Sequence, residues 1–158
     1  MSGFRRGTRI GVDVGRARVG VARCDPDGLL ATPVETVPRD EAAIHRVTVI
    51  ADEFEALEIL VGLPLNMRGE DTASTTDARE FAAGIAAESA RPVRLVDERL
   101  STVSAHAALR DSGRSQRSSR SIVDQVAAVV LLQQAIDVEK NTGRPAGHPI
   151  RQEPTPDA

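Results

Sequence analysis

Three carboxylates in this chain stand where an acid needs a reason: Asp13 in GVDVG, Glu98 in LVDE and Asp124 in SIVDQ. Asp13 interrupts an apolar run of Ile10, Val12 and Val14, and period two puts it on the other face, with Arg9, Gly11 and Gly15. The glycines remove bulk beside the acid, so a ligand or a second element can come close. Glu98 closes an apolar strand and shares a face with Val96. Asp124, at 100° per residue, points the same way as Ala127, Ala128, Leu131 and Ala135, opposite Gln133, so it lies on the small, sheet-facing side of its helix. Each acid has a plain alternative: turn amides near Gly15 for Asp13, an ion pair with Arg99 for Glu98, a helix dipole for Asp124. Together they suggest one site. Three acids at one sheet end repel unless a cation neutralises them. Oxygen-only ligands suit Mg²⁺ or Mn²⁺. Two such ions ~3.5–4 Å apart activate a water and stabilise the leaving oxygen of a phosphodiester.

The elements that must position these acids follow from periodicity. Residues 8–14 and 18–24 alternate as a β-hairpin. A third strand covers 29–37, where Pro33 marks an edge or a bulge. Residues 40–56 have helical spacing, with Asp40 as N-cap. Residues 58–64 and 92–98 are short apolar runs of the buried parallel type, and 74–89 is a helix between them. A helix over 101–113 is capped by Ser101 or Thr102, and a last helix runs from about Ser119 to Val138. The expected fold is α/β: a mixed five-stranded sheet, three strands antiparallel and two further strands parallel, with helices on both faces. Residues 1–139 form one domain. From Lys140 the chain is polar with four prolines, and 140–158 reads as a disordered tail.

The chain has 158 residues, 41% apolar and 27% charged, with a net charge of -3, which is ordinary for one soluble domain. The average conceals an uneven distribution. Residues 1–23 hold six arginines against Asp13 alone, residues 110–120 hold four against Asp111, and residues 35–58 hold seven acids against two arginines. Basic patches at separated places suit a nucleic acid; solvated charge in a chain with the single lysine Lys140 is the alternative. No membrane span and no signal peptide are apparent, and the lone Cys24 cannot form an internal disulfide, all of which points to the cytoplasm. Cys24 reads better as a small buried hydrophobe than as a redox handle.

Four stretches in order, GVDVGRARVGVA, LVGLPLNMRG, VRLVDERLST and SIVDQVAAVVLLQ, resemble the YqgF/RuvX family over roughly residues 8–137. The resemblance implies the RNase H-like fold and a nuclease, either one processing the 5′ end of pre-16S rRNA or one resembling a Holliday junction resolvase. It also implies Asp13, Glu98 and Asp124 as the three catalytic acids. The segment 111–120 is Ser/Arg-rich without lysine, and its positive character rests on Arg114, Arg117 and Arg120.

Other residues near the expected site could grip nucleic acid. Asn66 and Arg68, in the loop LPLNMR between Gly62 and Gly69, could hold a phosphate or a base. Arg99, Ser101 and Thr102 follow Glu98 at a helix start, which suits a phosphate as well as a simple cap. Arg16 and Arg18 flank the hairpin turn and could reach backbone phosphates. Arg114, Arg117 and Arg120 could clamp a strand. With three Phe and no Trp or Tyr, aromatic base stacking is minor. Three readings follow: a metal-dependent endonuclease on structured RNA or branched DNA, an actin-like ATPase suggested by GVDVG but left without room for its second domain, and a non-catalytic nucleic-acid scaffold. A junction resolvase would be a homodimer, because its substrate has two-fold symmetry; an RNA enzyme could be a monomer.

Overall fold

The computed structural model describes residues 3–98 and 116–150, and for 116–124 the backbone alone. In chain order the elements are β1 (Arg9–Val14), β2 (Arg18–Cys24), β3 (Ala31–Pro38), α1 (Ala43–Glu53), β4 (Glu58–Leu63), α2 (Ala73–Glu88), β5 (Val93–Asp97), α3 (Gln116–Thr142) and β6 (His148–Pro149). They form a sheet in the order β3-β2-β1-β4-β5-β6. The hairpin strands β1, β2 and β3 are antiparallel, while β4 is parallel to both β1 and β5. Pro33 lies on edge strand β3 where the β2–β3 register shifts, at Val21/Ala22, so both of its predicted roles apply. The expected helix at 101–113 lies outside the described residues.

Alternation along the strands sends two different sets of side chains to the two faces. Ile10, Val12, Val19, Val21, Ile59 and Val61 pack with Val47 and Ile50 of α1 and Phe81 and Ile85 of α2. On the other face Ala22, Cys24, Leu60 and Val96 pack with Ala128, Leu131, Leu132 and Ala135 of α3. Here the helix lies almost on the strands. A Cβ at Gly11 would fall 2.9 Å from Leu132 Cβ and 3.0 Å from the Ala128 carbonyl oxygen, so only glycine permits this approach. Cys24 is fully buried in this layer, accepts the Arg9 N–H at 3.2 Å, and its thiol is pushed up by burial.

Four expectations are corrected. The sheet has a sixth strand: β6 pairs antiparallel with β5, Leu95 opposite His148, and Arg94 donates to the Ala146 and Gly147 carbonyls at 2.9 and 3.0 Å. The chain is therefore structured beyond Lys140, through the end of α3 and as far as residue 150; residues 151–158 lie outside the described residues. Asp40 is not the N-cap of α1. That position is Ala42, and the Asp40 carboxylate instead accepts the Ala42 N–H at 2.9 Å, shaping the turn before the helix. Gln133 does not point away from the sheet: it is half-buried, and its Oε1 accepts the Ala31 N–H at 3.0 Å, tying α3 to edge strand β3.

At the N-terminal end of β1 and β4 the sheet is closed by charge. Arg9, Glu58 and Glu139 are 1%, 3% and 2% exposed. Arg9 donates to Glu139 at 2.9 Å, and Arg5 bridges Glu139 at 2.7 Å and Glu58 at 2.8 Å. Phe4 lies against the Arg9 guanidinium at 4.5 Å. Burial alone would raise the Glu139 carboxyl, but bonds from Arg5 and the charges of Arg5 and Arg9 hold it below the usual range. This cluster lies at the opposite end of the strands from Asp13 and Glu98.

Candidate active site

The acids are set by one row of residues running across the sheet. Thr36 of β3 is opposite Gly20 of β2, and Gly20 is opposite Asp13 of β1. One residue beyond the last β1–β4 pair, Val12 with Val61, Asp13 comes level with Gly62, and Gly62 is opposite Val96. Asp13 thus sits between two glycines, one on each neighbouring strand. Gly11 and Leu60, two residues back, face α3, so Asp13 faces it too.

Glu98 reaches this row from the end of β5. Its N–H donates to the Leu63 carbonyl at 3.2 Å, which carries the pairing one step past the strand. Its carboxylate lies directly over Gly62, where a Cβ would collide with Glu98 Oε2 and fall 3.0 Å from Cδ. The carboxylate is thus about one strand spacing, ~4.8 Å, from the β1 backbone at Asp13. Glu98 is buried and Asp13 half-buried. The sequence places both acids at the carboxyl ends of strands at one end of the sheet; in the structure β4 lies between those strands, and Glu98 reaches across its Gly62 toward Asp13.

α3 covers the row. Gln125 Nε2 donates to Thr36 Oγ1 at 2.7 Å, which pins the helix at the β3 end of the row. Asp124 is the preceding residue of that helix; its side chain lies outside the described residues, as do those of Arg117 and Arg120. Gln125 and Thr36 were missed in the sequence because a polar pair 89 residues apart leaves no local pattern.

Of the candidate gripping residues, Arg16 is exposed on the β1–β2 turn and Arg18 is half-buried at the start of β2. The turn is braced from behind by Arg39, another residue the sequence did not single out. Its guanidinium donates to the Gly15 carbonyl at 2.9 Å and pairs with Asp77 at 2.7 Å, lying 5.0 Å from the Phe81 ring centre. The Arg39 bond, helped by the charge of Arg16, holds the Asp77 carboxyl below its ordinary value against the effect of burial.

Asn66 is occupied in shaping its own loop. Its Oδ1 accepts the Arg68 and Glu70 N–H groups, both at 2.9 Å, and its Nδ2 lies 3.4 Å from Glu70. Arg68 is exposed at the tip. Arg99, Ser101, Thr102 and Arg114 lie outside the described residues. His45 is on the surface, 3.0 Å from Glu88, and His148 is exposed on edge strand β6, opposite Leu95.

The donor set fits a hard divalent cation. Two carboxylates lie along one row floored by Gly20 and Gly62, an oxygen-only pair that suits such an ion. Among the described residues no group of three acids, histidines or cysteines completes a metal cluster. A third oxygen ligand would come from α3, the helix that carries Asp124.

Comparison with known proteins agrees with this architecture. The model of the RuvX family, described as a Holliday junction resolvase, matches residues 7–138. A protein of Clavibacter michiganensis subsp. michiganensis named "Putative pre-16S rRNA nuclease" is 54% identical over 147 residues, covering 91% of each chain. Proteins of the same name from Leifsonia xyli subsp. xyli and Streptomyces coelicolor are 54% and 50% identical, covering 93% of this chain and 96% and 90% of theirs. Among solved structures, T. thermophilus RuvC in complex with a Holliday junction substrate superposes with a TM-score of 0.55 at 18% identity, covering 90% of this chain and 99% of that one. That likeness shows the fold, which is RNase H-like. With a family model spanning nearly the whole described sheet and relatives at half identity, the chain belongs to the RuvX family.

Proposed function

We propose that this protein is a metal-dependent endonuclease that hydrolyses nucleic-acid phosphodiester bonds, and that its physiological reaction is processing of the 5′ end of pre-16S rRNA in the cytoplasm. The observation that carries the reading is Glu98 lying over Gly62 in the row of Asp13, two carboxylates on one glycine floor at the carboxyl ends of parallel strands. The names of the relatives support the RNA substrate. No helix among the described residues is long and apolar enough to cross a membrane.

Asp13, Glu98 and Asp124 would hold Mg²⁺ or Mn²⁺, and a pair of such ions supplies an activated water and charge stabilisation for the leaving oxygen. The chain contributes rigidity and access. Asp13 is fixed on a central strand, Gly62 lets the Glu98 carboxylate lie close over the sheet, and α3 covers the row. Arg16, Arg18 and Arg68 stand at the rim to take flanking phosphates, which position a strand without reading its sequence. Arg99, Ser101 and Thr102 would serve the phosphate next to Glu98. Arg114, Arg117 and Arg120 would close on the substrate from the α3 side.

A second reading, resolution of branched DNA, is favoured by the family description and by the RuvC fold. It requires a homodimer with two sites. The deciding experiment is parallel cleavage of a pre-16S rRNA 5′-leader RNA and a four-way DNA junction with Mg²⁺ or Mn²⁺, with Asp13→Asn as control. Cutting of the RNA alone, lost in the variant, is the expected result. Symmetric cutting of the junction alone would replace it with resolution. Cutting of neither would leave a nucleic-acid scaffold.

A further inference from the structure

Met67 is 97% exposed, the most exposed of the large apolar side chains among the described residues. The others, Leu29, Leu30 and Val138, lie at the Arg9 end of the sheet: Leu29 and Leu30 follow Cys24, beyond the Ile10–Arg23 pair, and Val138 adjoins Glu139. Of these four, Met67 is the one at the acid end. Its loop leaves β4 at Leu63, whose carbonyl receives the Glu98 N–H. Four residues of chain reach at most ~14 Å, so the tip stands within a few nucleotides of Glu98.

An exposed methionine on a floppy loop would mean little. This loop is braced at every step. The Asn66 side chain holds two N–H groups, the Asn66 N–H donates to the Glu70 carbonyl at 3.1 Å, and Gly69 takes the left-handed turn at φ 76° while donating to the Asn66 carbonyl at 2.9 Å. Its base is held by the fully buried Thr75, whose hydroxyl donates to the Pro64 carbonyl at 2.7 Å. Leaving an apolar side chain in water on a rigid support puts the ordering cost of binding in place beforehand. No aromatic side chain is available for stacking: Phe81 is buried, while Phe4 and Phe54 lie under Arg9 and Arg23. Arg68, the next residue, is exposed and cationic, which suits a phosphate beside an apolar contact.

We propose that Met67 is a wedge that packs on the face of a nucleobase where the base stack of the substrate is interrupted, at a helix–single-strand border or a branch, and so selects structured substrates for the adjacent acids. Apolar wedges of this kind, methionine included, insert at weakened base steps, and thioether sulfur packs well on aromatic rings. The inference rests on the nuclease reading above and adds how the site chooses its substrate.

The test uses the full chain in an Asp13→Asn background, so that no strand is cut. The probe is an RNA hairpin with a single-stranded 5′ extension carrying 2-aminopurine at the first unpaired position, beside a fully paired RNA of equal length. Met67→Ala should bind the hairpin about three- to tenfold more weakly, lose the fluorescence change of the parent, and bind the paired RNA unchanged. Met67→Phe should keep both the affinity and the signal. Equal binding of the hairpin by Met67→Ala and its parent overturns the wedge and leaves the nuclease reading standing, as does equal weakening on both RNAs. Binding of neither RNA by the parent overturns the nuclease reading and the wedge with it.

Discussion

Gly62→Ala separates the geometry of the acids from the stability of the fold. The added methyl takes the space now held by the Glu98 carboxylate, with Glu98 Cδ at 3.0 Å and Leu131 Cδ2 at 3.2 Å. Both neighbours are ends of flexible side chains and can swing aside. Crowding of this kind costs about 1 kcal/mol, and replacing a strand glycine by alanine returns ~0.5–1 kcal/mol of backbone entropy. The melting temperature should therefore move by no more than ~4 °C. Glu98 must nonetheless leave its place over the row, and a displacement of about 1 Å at a reacting group costs ~100-fold in rate. Gly11→Ala is the contrast. There the methyl meets Leu132 Cβ at 2.9 Å and a helix carbonyl at 3.0 Å, atoms that move only if α3 moves. That substitution should cost about 2–3 kcal/mol and lower the melting temperature by ~4–10 °C. Thermal melts and Mn²⁺-dependent cleavage of the leader RNA, measured on both variants, give the comparison. A Gly62→Ala protein with wild-type cleavage would refute the placement of Glu98, and one that fails to fold would refute the claim that its neighbours can yield.

Gln125→Ala removes the bond to Thr36 and should cost about 1 kcal/mol, yet lower cleavage and Mn²⁺ affinity more than that loss implies, because it loosens α3 next to Asp124; titration calorimetry with Mn²⁺ reads the second effect. Glu139→Gln leaves Arg9 buried with a weakened partner and should cost about 3 kcal/mol in chemical denaturation. The Glu139 carboxyl is held below its ordinary value of 4.5 on folding, as are Asp77 beside Arg39 and Glu35 beside Arg46. Groups lowered on folding stabilise the protein fully above their unfolded values and lose that contribution as pH falls through their folded ones. Stability followed by circular dichroism should be flat above about pH 5 and fall steadily below pH 4.5, with a shallower fall in Glu139→Gln.

The sheet was legible because its first five strands alternate or run apolar within single short windows, and each is bounded by glycine, proline or charge. β6 was not. His148–Pro149 has neither length nor pattern, and the strand exists because Arg94 and the β5 edge hold the backbone there. Asp13 and Glu98 were legible because an acid on an otherwise apolar strand is costly without a purpose, and Gly11 marked where something comes close; Gly62, which reads only as the start of a loop, showed its part in the structure. The features that hold the site in place, Gln125 on Thr36 and Arg39 on Gly15, join distant parts of the chain through ordinary polar residues. The same holds for Arg5, Arg9, Glu58 and Glu139, far apart in the chain, which form three buried groups and a bridge.

That charged cluster also fixes when a nascent chain can fold. Arg9 belongs to the first strand made, and the carboxylate that neutralises it, Glu139, is 130 residues later. Until Glu139 has been synthesised, Arg9 has the longer contact to Glu58 at 4.0 Å and a bond to the Gly7 carbonyl, so burying it under α3 lacks its shortest carboxylate partner. The hairpin and the α1–α2 layer can form early, but the α3 layer, and with it the cover over Asp13, must wait for nearly the whole chain to leave the ribosome. A nuclease whose proposed substrate is ribosomal RNA would thus stay inert while still tethered to a ribosome, assembling its site only at the end of synthesis.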